Sequence, residues 1–167
     1  MAERWAIFGQ YPKLILKCFH ATGCGQATPE QTVYKFLGAV QAHDSKAMRS
    51  CINPEAVHKA ADGSSEIARQ WEELHRRYLV EPVNWRMEFE GIRLESSYLD
   101  SDRALVRLAG GKCELYNLKE GAWATTGKID FSMQDFVPLY VVSKEGRWYL
   151  EALDLYIVYG LESMAQL

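Results

Sequence analysis

The sequence predicts an α+β domain, with N-terminal helices packed in a curved antiparallel β-sheet. Three observations carry that prediction. Apolar residues recur at helical spacing up to Pro82 and alternate every second residue beyond it. Turn residues divide the second part into several strands, each followed closely by the next, as hairpins require. The parity of the longest alternating run slips by one at Glu90-Gly91, the signature of a β-bulge that bends a strand.

The first helix starts at Thr28-Pro29-Glu30-Gln31, which reads as an N-cap, a proline at the first helical position and a glutamine at the capping-box position. Val33, Phe36, Leu37 and Val40 follow at i, i+3, i+4 and i+7 and form one apolar face. His43-Asp44-Ser45 interrupts this helix, and a second short one carries Ala47, Met48 and Cys51. Asn53-Pro54 caps a further helical piece through Val57 and Ala60. After the break at Asp62-Gly63-Ser64-Ser65, Ile67, Trp71, Leu74, Tyr78 and Leu79 line one stripe of a longer helix that Pro82 ends.

Val83, Trp85, Met87 and Phe89 then alternate with Asn84, Arg86, Glu88 and Glu90, a half-buried strand. Past Gly91 the apolar positions shift to Ile92, Leu94 and Tyr98. Asp100-Ser101-Asp102 is a turn, and Ala104, Val106 and Leu108 form the returning strand, which Gly110-Gly111 is expected to break. A short strand is expected from Cys113 to Leu118, with a turn at Lys119-Glu120-Gly121. Ile129, Phe131 and Met133 alternate with Lys128, Asp130, Ser132 and Gln134 as another strand. Phe136-Val137-Pro138-Leu139-Tyr140-Val141-Val142 is apolar on both faces, and Ser143-Lys144-Glu145-Gly146 turns it into the strand of Trp148 and Leu150. Residues 154–167 leave strand and helix both open. A sheet apolar on both faces needs a second cover. A second subunit's sheet supplies it most simply, which predicts a homodimer; the chain's own terminal segments are the alternative.

Composition narrows the function. The chain has 167 residues, 48% of them hydrophobic, and a formal net charge of -3, so it can bury a core and is not a disordered tail. No apolar run is long enough to span a bilayer. The mildly acidic balance argues against nucleic acid as a partner, and the one dense basic run, His75-Arg76-Arg77, reads as a solvated helix face. There are four cysteines without a C-x-x-C spacing. Cys51 and Cys113 sit among apolar residues as reduced core thiols, while Cys18, His20 and Cys24 fall one ligand short of a closed zinc site. No metal or cofactor is implied. Residues 1–27 read as an N-terminal extension and residues 28–167 as a single domain.

The segment Ala21-Thr22-Gly23-Cys24-Gly25-Gln26 resembles the end of a bacterial lipoprotein signal, with Cys24 as the lipidated residue. The apolar stretch such a signal needs is interrupted, because Leu14-Ile15-Leu16 is followed by Lys17 and His20. The sequence as it stands therefore predicts a cytoplasmic protein, and one of the cell envelope if the true start lies upstream.

The helix Thr28-Pro29-Glu30-Gln31-Thr32-Val33-Tyr34-Lys35-Phe36-Leu37-Gly38-Ala39-Val40-Gln41-Ala42-His43-Asp44 and the hairpin Val137-Pro138-Leu139-Tyr140-Val141-Val142-Ser143-Lys144-Glu145-Gly146-Arg147-Trp148-Tyr149-Leu150 together resemble the nuclear transport factor two-like superfamily. The likeness covers about residues 28–153 and is nearest to small bacterial lipoproteins of unknown function. It implies a cystatin-like α+β roll, a cone whose interior can hold a ligand. That fold hosts enzymes, carriers and scaffolds alike.

The enzymes of the superfamily set a test for this chain. Ketosteroid isomerase needs a tyrosine hydroxyl on the first helix and an aspartate base. Here Phe36 stands at the tyrosine position, and Val57-His58-Lys59 puts Lys59 at the base. An epoxide-hydrolase set would draw on Asp100, Arg103 and Asp130, of which the first two suit a turn; a dehydratase pair would draw on His58 and Asp130. No G-x-S-x-G or phosphate loop is present. His58 and Asp130 are thus the catalytic candidates. Phe36, Trp71, Trp85, Tyr140 and Trp148 are the candidates for an aromatic pocket that takes an apolar or amphipathic small molecule. The expected function is binding or protein interaction, with a small isomerase, dehydratase or hydrolase and an envelope lipoprotein as alternatives.

Overall fold

Among the described residues, two helices pack against one curled, antiparallel half-barrel sheet. The computed structural model describes residues 26–55, 85–133 and 138–151. Helix α1 spans Pro29–Gln41, and Thr28 caps it: the Thr28 Oγ1 accepts the Gln31 N–H at 3.2 Å, and the Gln31 Oε1 accepts the Ala27 N–H at 3.2 Å. The first bond satisfies a donor orphaned at the helix start, and the second satisfies the N–H of the residue before the cap. His43 turns the chain with a left-handed φ of 55°. Asp44 then caps α2 (Ser45–Ser50), accepting the Ala47 N–H at 2.9 Å. Cys51 forms the C-cap of α2 rather than a position inside it.

The sheet contains β1 (Trp85–Tyr98), β2 (Arg103–Lys119), β3 (Ala122–Asp130), β4 (Leu139–Lys144) and β5 (Arg147–Leu150). Strands β1 and β2 pair along their whole length, and the register shifts between Glu90 and Leu94, where the parity slip placed a bulge. The far edge of β2 is shared: its first residues pair with β4 and its last with β3. The order is therefore β1-β2-β4-β5, with β3 beside the second half of β2.

Gly110-Gly111 does not end the strand as expected; β2 continues through it, with the register to β1 irregular there. Gly91 and Gly111 adopt φ of 61° and 98°, and a Cβ on Gly111 would lie 2.7 Å from the Gly91 carbonyl and the Ile92 backbone. Two glycines facing each other bend both strands together, so the pair is a joint between two half-sheets. The Arg93 guanidinium lies over Gly110 and donates to the Ala109 carbonyl at 2.8 Å, which staples the bend.

The strand expected across Ile129 and Met133 is displaced toward the N-terminus. It ends at Asp130, whose Oδ1 accepts the Ser132 N–H at 3.0 Å and also the Ser132 hydroxyl; this Asx turn draws the backbone out of the ladder. The β4–β5 turn matches expectation, with Glu145 and Gly146 both at positive φ. Of the run read as the preceding strand, Phe136 and Val137 lie outside the described residues, as do the helix of Trp71 and the tail from residue 152.

The core lies between α1 and the inner face of the sheet. Val33, Leu37, Met87, Phe89, Leu115, Ile129, Val141 and Leu150 are all essentially inaccessible there. Removing each such side chain from water contributes about 1.5–3 kcal/mol. The curl is strong enough that Tyr98, at the end of β1, packs edge-on against Trp148 of β5, with ring centroids 5.8 Å apart although β2 and β4 lie between their strands.

Polar groups from the helical layer take backbone groups on the edges of β1 and β5. On β1, the Gln41 Oε1 accepts the Phe89 N–H and the Tyr34 hydroxyl donates to the Ile92 carbonyl, both at 2.9 Å. On β5, Trp148 exchanges bonds with Gln26, and Leu150 with Cys51 and Asn53, at 2.7–2.9 Å.

Candidate functional site

The side chains on the sheet's other face have no described element packed on them, and the bend divides this outer face into two patches. On the β4–β5 half, strand register places Leu105 opposite Tyr140 and Val142 opposite Tyr149. Leu105, Tyr140 and Tyr149 are half-buried and Val142 is buried. Alternation dictates this placement: Leu139 and Val141 point into the core, so Tyr140 and Val142 point away from it. Ion pairs rim the patch, Arg103 with Asp100 at 2.6 Å and Arg107 with Glu95 at 2.5 Å. The Asp102 N–H, followed by the Arg103 guanidinium, holds the Asp100 carboxyl below its usual range. Asp100 and then Tyr140 push the Arg103 pKa up, which fits a tyrosine hydroxyl beside the rim.

On the β3 half the outer face is polar and aromatic. The Arg86 guanidinium lies 4.7 Å from the Tyr116 ring centroid and 4.9 Å from that of Trp123, so it rests on two aromatic faces at once. Its Nε stands 3.3 Å from Glu88 Oε1, an ion-pair distance that lacks hydrogen-bond geometry. Beside it Glu114 takes Lys128 at 2.8 Å and the Tyr116 hydroxyl, and these two partners, Lys128 first, hold the Glu114 carboxyl below its usual range.

The residues singled out from sequence are distributed over both faces. Phe36 and Trp148 are buried in the inner core, and Tyr140 lies on the outer face. Trp85 opens β1, and its side chain falls outside the described residues, as do Trp71, His58, Lys59 and Cys24. Asp130 caps its own turn: the Ser132 hydroxyl, then its N–H, holds the carboxyl below its usual range. Asp100 and Arg103 are paired, but Asp130 sits beside Lys112 across the bend from them. Cys51 and Cys113 are buried free thiols; burial pushes Cys51 up to about 11 and Cys113 further. Among the described residues no group of His, Cys, Asp or Glu could hold a metal, and no helix is long and apolar enough to cross a membrane.

Sequence reasoning did not single out Leu105, Tyr149, Arg86, Tyr116 or Trp123 as site residues. Arg86 and Tyr116 become neighbours only through the β1–β2 register, and Trp123 joins them because the turn at Glu120-Gly121 sets it opposite Leu118, on the same face of the sheet as Tyr116. The available signal was the exposed parity of each strand, which the period-2 pattern assigns correctly once the register is known.

No protein-family model matches the chain, and no curated protein matches it. Among solved structures, the CamKII hub homology domain of Chlamydamonas reinhardtii is similar over 72% of this chain and 88% of that chain, at 13% identity and a TM-score of 0.42. The α+β description of this chain stands on its own strand pairing and helix packing.

Proposed function

We propose that this chain is a non-enzymatic interaction domain that self-associates through the outer face of its β4–β5 half. One observation carries the reading: Leu105, Tyr140, Val142 and Tyr149 stand side by side on that face in strand register, within a rim of ion pairs. An apolar centre with a polar rim is the anatomy of a protein interface. A second copy related by a two-fold axis would present the same patch, so each apolar group would gain an apolar partner.

Sedimentation of the wild type and of a Leu105→Glu/Tyr140→Glu double variant tests this. The wild type should run as a dimer at micromolar concentration and the variant as a monomer with an unchanged circular dichroism spectrum. A monomeric wild type across the accessible concentration range defeats the reading and leaves that face to the chain's own segments.

A second reading, a pocket for an apolar or amphipathic molecule, is supported by Tyr98, which remains 59% exposed while its ring packs on buried Trp148 at the rim of the inner face. Quenching of tryptophan fluorescence by an anilinonaphthalene probe, lost in Trp148→Leu, would favour it; equal quenching in both proteins would remove it.

A further inference from the structure

We propose that the free edge of β3, together with Arg86, forms a docking site for an extended acidic segment of a partner protein, separate from the apolar face and independent of it. Four observations meet at this place. On the edge of β1, Gln41 and Tyr34 take the Phe89 N–H and the Ile92 carbonyl, and on β5 Gln26, Cys51 and Asn53 take Trp148 and Leu150, whereas residues 122–129 make no described backbone hydrogen bond except to β2. Unpaired N–H and C=O groups along such an edge are a template for an added strand. Two of the exposed large apolar side chains, Trp123 (39%) and Leu118 (38%), stand opposite each other at this end of the β2–β3 ladder. Residues 122–125 carry no charge, and alanines at 122 and 124 leave the backbone approachable.

Arg86 decides the chemistry of the occupant. Its guanidinium reaches across β2 to lie over Trp123, an outer-face residue of β3. Tyr116 and Trp123 hold the guanidinium on their faces, and among the described residues it donates no hydrogen bond, its Nε being buried without a hydrogen-bond partner. A guanidinium held flat with its fork of donors unspent is preorganised for a carboxylate. Among the described residues Glu88 balances it through a 3.3 Å approach to Nε, which leaves the two terminal nitrogens for a second carboxylate. An incoming strand lies about 4.8 Å beyond β3, so an aspartate or glutamate on its outer face would come beside Trp123 and within reach of that fork. The chain's own β3 is a poorer occupant. In a two-fold pair along the whole of residues 122–129, its extra residue at Thr126, opposite the step from Leu115 to Tyr116, would bring two bulges close together.

The probe is a fluorescein-labelled ten-residue peptide of alternating valine and glutamate, blocked at both ends, with the valine–lysine peptide as control. Binding to the full chain is read by anisotropy, and amide hydrogen exchange of residues 122–125 is followed at saturation. The valine–glutamate peptide should bind at least tenfold tighter than the control and slow exchange at those amides. Arg86→Gln should weaken it about tenfold, and Arg86→Lys, which keeps the charge and loses the fork, should weaken it nearly as much. Equal binding of both peptides, unchanged exchange at residues 122–125, or full affinity in both Arg86 variants overturns the proposal. So does concentration-dependent protection of those amides without peptide, which would assign the edge to a second copy. The Leu105→Glu/Tyr140→Glu variant should bind the peptide as the wild type does, so failure of the apolar interface would not be mistaken for failure of this site.

Discussion

The two halves of the sheet share a core-facing surface and differ on the other. On the inner face, Phe89, Cys113 and Ile129 of the β3 half are as inaccessible as Val106, Val141 and Leu150 of the β4–β5 half. On the outer face, the β3 half carries Arg86, Glu88, Glu114 and Lys128 among its rings, and the β4–β5 half carries Leu105, Tyr140, Val142 and Tyr149. A strand must satisfy the core on one side only. Its other side is free to be solvated by charges or to be covered by something else, and the two halves take these two courses.

The largest test of the shared inner face is truncation in each half. Phe89→Ala should destabilise by about 3–5 kcal/mol and Leu150→Ala by about 2–5 kcal/mol in urea unfolding, because each leaves a cavity in one continuous core. Two separate transitions in either variant would mean that the halves fold independently. The joint comes next. Gly111→Ala forces a side chain into 2.7 Å contacts at a φ of 98° and should cost about 3 kcal/mol, whereas Gly121→Ala, at a φ of 80° with open space around it, should cost about 1 kcal/mol. Equal losses would show that the Gly91–Gly111 approach is not what bends the sheet.

The thiols give a gentler comparison. Cys113 belongs to the β3 half, and Cys51 joins the sheet at β5 through its carbonyl. Burial raises both thiol pKa values, Cys51 from 9.0 to about 11, so the folded state holds these protons longer than the unfolded chain does. Stability should therefore be unaffected below pH 9.0 and fall as the pH rises from there toward about 11. Native protein at pH 8 should leave both residues unlabelled by iodoacetamide in peptide mass mapping; rapid labelling of either would place it outside the shared core. The smallest effect belongs to the outer charges. Lys128→Ala removes an exposed pair with Glu114 and should change stability by under about 0.5 kcal/mol. A loss several times larger would make the β3 half's outer face a structural element in its own right.

Much of this architecture was legible before any coordinates. The Thr28 cap, the α1 stripe, the bulge at Glu90-Gly91 and the turn at Glu145-Gly146 all depend on residues close in sequence, where spacing and backbone preference suffice. The misreadings arose where a distant partner intervenes. Gly110-Gly111 looks like a break until Gly91 is placed opposite it, and Met133 looks like a strand residue until Asp130 is seen to cap Ser132. The candidate sites were less legible still. Tyr140 and Trp148 look alike as aromatic residues on neighbouring strands, yet the hairpin register puts them on opposite faces.

The sequence by spacing and preference gives the cap and apolar stripe of α1, the change to extended chain, the bend near Gly91 and the apolar side of β1, because those properties follow from local sterics and from the two periods of the backbone. Long-range packing settles which strands share β2, how the helical layer contacts the edges of β1 and β5, and that Arg86 meets Tyr116 and Trp123. Those outcomes depend on register between segments far apart in the chain, and a shift of one residue would exchange the faces of every side chain in a strand.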